Sequence, residues 1–247
     1  MRVFYKIATI VLTLAVVFLF SGTSLVSPKA IAKDKGVLKE IVFVHNPSPG
    51  HGRPLASCTI TINDGVNDWG AIGWQMINDG LTYQINFSTL PSNISATDFQ
   101  NVIATSTNTW EQTASSLKWT YGGSTSAKKS GYDGVNLVAF GNASGGIAVT
   151  RTWYWTGTGE IAESDMILGR NFAWSITDPN AGDCGGVAGT YDVQNIATHE
   201  FGHQVGLIDL YDKVDNDLTM YGYGTYRELK ADTLGAGDIT GAQVLAP

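Results

Sequence analysis

The fold and chemistry of this chain turn on one stretch, His199-Glu200-Phe201-Gly202-His203-Gln204-Val205-Gly206-Leu207-Ile208-Asp209. Upstream of it, Asp192 is placed to cap a helix. Val193, Ile196, Ala197, Phe201 and Val205 then recur on one side of that helix. Gly206 predicts its end, because glycine accepts the left-handed conformation that closes a helix. His199 and His203 are four residues apart, so they project from one helical face about one turn apart. That spacing lets both imidazoles reach one Zn²⁺ at about 2.0–2.1 Å. Glu200 sits beside them, where it can act as a base without ligating the metal. Beyond Gly206 the chain turns back, and Asp209 stands where a third ligand is needed. A catalytic zinc uses three protein ligands and one open position, and this stretch supplies three plus a base. Only four histidines occur in the chain. His45 and His51 are the other two, and with Asp212 and Asp215 they are the remaining candidates for the third ligand.

Working outward, Leu81, Tyr83, Ile85 and Phe87 alternate with polar residues, the period-2 mark of a half-buried strand. Ser95 then predicts an N-cap, with Asp98 favouring the helix start, and Phe99, Val102, Ile103, Ser106 and Trp110 follow at helical spacing. Leu117, Trp119 and Tyr121 suggest a second strand. Gly122 to Gly134, rich in Gly, Ser and Lys, reads as a mobile loop. Val135–Phe140, Ile147–Trp155 and Ile161–Leu168 read as further strands, and a Gly-rich connection from Gly169 to Tyr191 leads into the helix of the opening stretch. Strand, helix, several strands and helix, with no internal repeat, make an α+β or α/β sandwich with a twisted sheet.

The N-terminus reads as an export signal. Arg2 and Lys6 precede the apolar run Ile7–Phe20, and Ala30-Ile31-Ala32 supplies a small-x-small cleavage pattern. An apolar run of 14 residues is short for a membrane span, which needs ~20; an uncleaved anchor is the alternative. Loss of residues 1–32 leaves 12 basic and 22 acidic residues, a net charge of −10. That excludes the cationic footprint of nucleic-acid binding. Residues 33–56 read as a linker or pro-segment: Lys33–Glu40 is charged, Ile41–Val44 is a short apolar piece, and Asn46–Pro54 is broken by Pro and Gly. The whole of 33–80 is taken as an N-terminal extension, with the folded domain at 81–247. In an exported chain, Cys58 and Cys184 default to a single disulfide.

His-Glu-x-x-His-x-x-Gly followed by a metal ligand, then by Met220 in Leu218-Thr219-Met220-Tyr221-Gly222, resembles the metzincin zinc metallopeptidases. Taken alone, Met220 is an ordinary core residue; in metzincins this methionine forms an apolar floor beneath the zinc. Leu234–Gln243 is similar to the closing helix of the matrixin branch, and Gly159–Ile167 to a matrixin strand. The resemblance covers roughly Leu81 to Pro247 and is nearest to microbial matrixin-like proteins. It implies an α+β catalytic domain: a twisted, mostly parallel sheet with an antiparallel edge strand, two long helices, one carrying the zinc motif, and a short C-terminal helix. It implies a secreted endopeptidase with His199, His203 and Asp209 on zinc and Glu200 as general base and acid.

Two departures qualify it. Most matrixins have a third histidine where this chain has Asp209, as the snapalysin group does. The carboxylate partly neutralises the ion, which implies a neutral to mildly alkaline activity range. Gly222 stands two after Met220, where astacin-like and serralysin-like enzymes carry a tyrosine, so Tyr221 and Tyr223 are the phenols left to approach the site. By the same resemblance a peptide would add as an antiparallel strand to Ile147–Trp155, although a plain core strand is an equal reading of that segment. Residues Tyr221–Leu229 would then wall a side-chain pocket. Cys58 lacks the Pro-Arg-Cys-Gly setting of a matrixin zinc switch, which favours a Cys58–Cys184 disulfide over that role. Calcium is allowed by the resemblance, with no residues assigned, because no EF-hand spacing is present. Asn86, Asn93 and Asn142 fit the glycosylation sequon, weakly. The expected partner is a protein or peptide substrate met by a monomer, with no nucleic acid and no membrane span once the signal is removed. A catalytically silent, zinc-stabilised surface module and a precursor held latent by residues 33–80 are the competing functions.

Overall fold

Two helices begin where side-chain caps permit. Ser95 accepts from the Asp98 amide and starts α1 (Ala96–Glu111); Asp192 accepts from Gln194 and Asn195 and starts α2 (Val193–Val205). A computed structural model describes residues 34–49, 65–74, 80–177 and 185–246, all within one compact unit. The signal segment, His51, Cys58 and Cys184 lie outside the described residues, and with them the disulfide and switch readings.

The strands are β1 (Leu38–Pro47), β2 (Leu81–Ile85), β3 (Trp119–Ser124), β4 (Asn136–Gly141), β5 (Ala148–Trp155), β6 (Ile161–Gly169), β7 (Trp174–Ser175), β8 (Tyr191–Asp192) and β9 (Tyr223–Gly224); α3 (Ala236–Leu245) closes the chain. Seven strands form one sheet in the order β3-β2-β4-β6-β5-β1-β9, and β7 pairs with β8. Every neighbour pair in the large sheet is parallel except the two made by β5. The architecture is therefore α+β with a mostly parallel mixed sheet and three helices.

Alternation divides the core. Val138, Phe140, Met166 and Leu168 face the helices, while Leu137, Ala139 and Ile167 meet Val149 on the other face. All the residues expected on the buried side of α1, from Phe99 to Trp110, are buried. Indole hydrogen bonds lock α2 in place: Trp110 Nε1 donates to Thr198 O at 2.8 Å, and Trp119 Nε1 to Gln204 Oε1 at 2.8 Å. Among the described residues no helix is long and apolar enough to cross a membrane.

Four expectations change. The antiparallel strand β5 is not at the edge, because β1 pairs along it from Leu38↔Trp155 to His45↔Ala148. An open edge leaves a row of unpaired N–H and C=O groups, and β1 satisfies them. Residues 38–47, read as part of a linker or extension, are thus a strand of the sheet. Their sequence hid it because Lys39, Glu40 and Val42 stay exposed and no regular alternation survives. The loop 122–134 is partly strand, and its remainder is tethered: Glu163 accepts from Asp133 N and Gly134 N, and Asp165 from Gly131 N and Leu137 N. Asn86 is buried, with its amide donating to Ala127 O, which removes it as a glycosylation acceptor in the folded chain.

Candidate metal centre

The local fold aims three side chains at one point. His199 Nδ1 lies 2.7 Å from Thr219 O, and His203 Nδ1 2.9 Å from Leu207 O. A carbonyl can only accept, so each Nδ1 carries the proton and each Nε2 presents a lone pair. Gly206 (φ 111°) ends α2 in the left-handed conformation and turns the chain back. Asp209 Oδ1 then comes to 3.1 Å from His199 Nε2 and 3.5 Å from His203 Nε2. All three atoms are buried and none has a hydrogen-bond partner. Buried polar atoms are normally satisfied, so three orphaned acceptors facing one another fit a cation. Two neutral imidazoles and one carboxylate suit a divalent ion of borderline softness. His199, His203 and Asp209 could therefore hold a metal ion.

The surroundings support the geometry. Burial opposes ionisation of Asp209, but the His203 and His199 imidazoles outweigh it and hold the carboxyl well below its ordinary range. Glu200 is likewise pushed up by burial, yet His45, His199 and His203 together hold it below the ordinary value. Thr150 Oγ1, on β5, donates to Glu200 Oε2, which leaves Oε1 without a partner. Met220 lies against the bare backbone of Gly202, where a Cβ would stand 2.2 Å from its sulfur. The turn around Met220 is pinned by Asp238 of α3, which accepts from Thr219 N at 2.8 Å and from Met220 N at 3.1 Å. The C-terminal helix thereby positions the Thr219 carbonyl that orients His199.

Gly222 has a local reason. A Cβ there would lie 2.5 Å from the Tyr211 ring and 3.0 Å from Asp209 Cβ. Tyr211 uses that space, and its hydroxyl donates to Asp209 Oδ2 at 3.3 Å. The phenol nearest Asp209 is therefore Tyr211, not Tyr221 or Tyr223. Asp212 is exposed, and Asp215 is buried against Asp68; neither joins the histidines.

Sequence reasoning missed the contribution of β1. His45 Nδ1 lies 3.5 Å from Glu200 Oε1, and its ring packs on His199 with centroids 3.9 Å apart. Phe43, two residues earlier on the same face, stacks on His203 at 4.0 Å. His45, His199 and Glu200 form a second group able to hold an ion, sharing His199 with the first. Burial and the neighbouring His199 hold His45 below the ordinary imidazole value, against the pull of Glu200 and Asp209. No family model matches the chain, and no curated protein matches it.

Proposed function

We propose that this chain is a secreted zinc endopeptidase of metzincin type, in which His199, His203 and Asp209 hold the ion and Glu200 moves the proton. One observation carries the reading: the unpartnered His199 Nε2, His203 Nε2 and Asp209 Oδ1 converge beside an unpartnered Glu200 oxygen. A purely structural ion would have no use for that carboxylate and would more commonly close with a fourth ligand. Zinc bound there would supply Lewis acidity and acidify a water in its open position. Glu200, held by Thr150 through Oε2, keeps Oε1 free to take a proton from water and return it to the leaving amine. Met220 and Gly202 keep the floor of the site apolar and tight. The substrate is an extended stretch of protein or peptide, and secretion rests on the N-terminal signal pattern.

The test has two parts. The purified chain should bind one zinc, and His199→Ala should lose it. Casein hydrolysis should disappear with chelator, return with zinc, and be absent from Glu200→Ala, a loss of at least ~10²-fold. Full zinc occupancy with no hydrolysis overturns the enzyme reading.

A further inference from the structure

We propose that residues 66–74 are a brace of the metal centre rather than part of an extension, and that Trp74 is its positioning residue, setting His203 and the turn to Asp209 for the ion. The proposal rests on the reading of His199, His203 and Asp209 as ligands, and it holds whether or not the centre hydrolyses peptides.

The need for a brace follows from where the ligands sit. His199 and His203 share α2, but Asp209 lies three residues beyond the Gly206 that ends it. Three ligands that must each stand about 2.0–2.2 Å from one ion leave little tolerance in that turn. Main-chain bonds bracket Asp209 on both sides. Beyond it, Leu210 N donates to Met220 O at 2.8 Å. Before it, Ile208 N donates to Gly70 O at 3.0 Å and Ile72 N to Gly206 O at 2.9 Å, so that Ala71 and Leu207 pair as antiparallel neighbours. Leu207 is also the residue whose carbonyl holds His203 Nδ1. The segment thus fixes the orientation of one ligand and the path to another.

Trp74 closes the same corner. It is fully buried, and its Nε1 donates to His203 O at 3.2 Å. That carbonyl belongs to the last turn of α2, where helical partners run out. The left-handed Gly206 sends Leu207 N back to Gly202 O, so His203 O is left with the Gly206 amide, which it shares with Gly202 O, and with the indole. A Cβ on Gly206 would stand 3.2 Å from Trp74 O and 3.3 Å from Trp74 Cδ1, so ring and turn are in close contact. Trp110 and Trp119 also hold α2, at Thr198 and Gln204. Trp74 differs from them in bonding the carbonyl of a ligand residue itself.

The segment is anchored in turn against α3. Gly237 N donates to Val66 O at 2.9 Å. The bare backbones of Gly237 and Gly241 admit the segment: a Cβ on the first would meet Asp68 O, and one on the second would lie 3.2 Å from Trp69 Cβ. Because α3 also holds the Met220 turn through Asp238, one helix supports both brackets of Asp209. The unit that holds the ion therefore begins by Val66 at the latest, not at residue 81.

The experiment compares the full chain with Trp74→Phe and Trp174→Phe. Each variant keeps an aromatic ring and loses one buried indole donor, but Trp174 Nε1 bonds Gly169 O at the end of β6. Urea unfolding in chelator measures the stability of each metal-free chain. Zinc affinity is read by competition with a chromophoric chelator, and the shape of the site by the visible absorption of the Co²⁺-loaded chain. Outer partners that orient a metal ligand are typically worth about 10- to 100-fold in affinity. Trp74→Phe should weaken zinc by that factor and move the Co²⁺ bands, while Trp174→Phe should lose comparable stability with both readouts unchanged. Should Trp74→Phe fail to fold, Gly70→Ala is read in its place: its Cβ would lie 2.5 Å from Ile208 Cδ1 and push on the residue before Asp209, with the same loss expected. Zinc affinity and Co²⁺ bands that match wild type in the variant at 74 or 70, or that change equally in the Trp174 variant, overturn the proposal. A wild-type chain that takes up no zinc sinks the ligand reading and the brace with it. A zinc-loaded wild-type chain that hydrolyses no casein sinks the enzyme reading alone and leaves the brace standing.

Discussion

Glu200 is useful only if its carboxylate points the right way, and Thr150 holds it there. The hydroxyl of Thr150 occupies Oε2 and leaves Oε1 as the oxygen the proposed base would use. Thr150→Val keeps the shape of a fully buried side chain and removes only the donor. In the proposed endopeptidase kcat should fall about tenfold, part of the 10²–10⁴-fold worth of a general base. KM and zinc content should stay unchanged. A carboxylate that loses a hydrogen bond to its charged form titrates higher, so the acid limb of the kcat–pH profile should move to higher pH. An unchanged limb and kcat would remove Thr150 from the positioning of Glu200. The sequence made His199, Glu200, His203, Gly206 and Asp209 legible because they share one helix and the turn after it. Thr150 was not legible, and His45 only as an alternative third ligand: they reach Glu200 from strands 50 and 155 positions away, and the register of β1 on β5 brings His45 in.

At the scale of elements, β6 shows what local reading can and cannot see. Ile161–Leu168 reads as a strand in the sequence, and β6 is one, buried at all but one position. Glu163 and Asp165, two apart and hence on one face, gave no sign in the sequence that they would catch four backbone N–H groups of the 122–137 segment. A stretch rich in Gly, Ser and Lys looks mobile because composition reports the cost of ordering it, not the acceptors waiting elsewhere in the chain. Those acceptors carry a pH dependence. Burial pushes Asp165 up to about 7, against the pull of the Leu137 and Gly131 amides and with the Glu163 and Asp133 charges adding to burial. The folded pKa therefore lies above the unfolded one. The contribution of Asp165 to stability is complete below the ordinary carboxyl range and is lost as pH rises through about 7. Urea unfolding at about pH 5 and about pH 8 should show the wild-type chain losing stability relative to Asp165→Asn, which differs otherwise by a constant offset. A wild-type-minus-variant difference that is flat across this range would mean that Asp165 is ionised throughout, held by its two amides.

For the whole molecule, the large features followed from pattern alone. Periodicity placed α1, α2 and the strands β2 to β6, and the buried side of α1 was foreseen residue by residue. The cover over α2 was not: a helix reads as amphipathic when its polar side is expected to face solvent, and here β1 buries that side as well. A core containing His199, Glu200, His203, Asp209 and His45 in one buried cluster is electrostatically costly without a cation at its centre. Zinc should therefore act as a folding ligand of the entire unit, because the unfolded chain cannot assemble ligands drawn from α2 and the turn beyond it. At a free zinc concentration 100- to 1,000-fold above Kd, linkage gives about 2.7–4.1 kcal/mol. In a unit of this size that corresponds to a rise in Tm of roughly 5–16 °C. Differential scanning calorimetry with and without chelator should show that shift. Asp209→Ala should abolish most of it, since two imidazoles alone leave the ion without its one charged ligand. Phe43→Ala/His45→Ala should preserve it, because neither ring is among the three ligands that converge. A zinc-dependent shift that survives Asp209→Ala but vanishes in the double variant would move the ion to the His45, His199 and Glu200 group, and would make β1 part of the metal site.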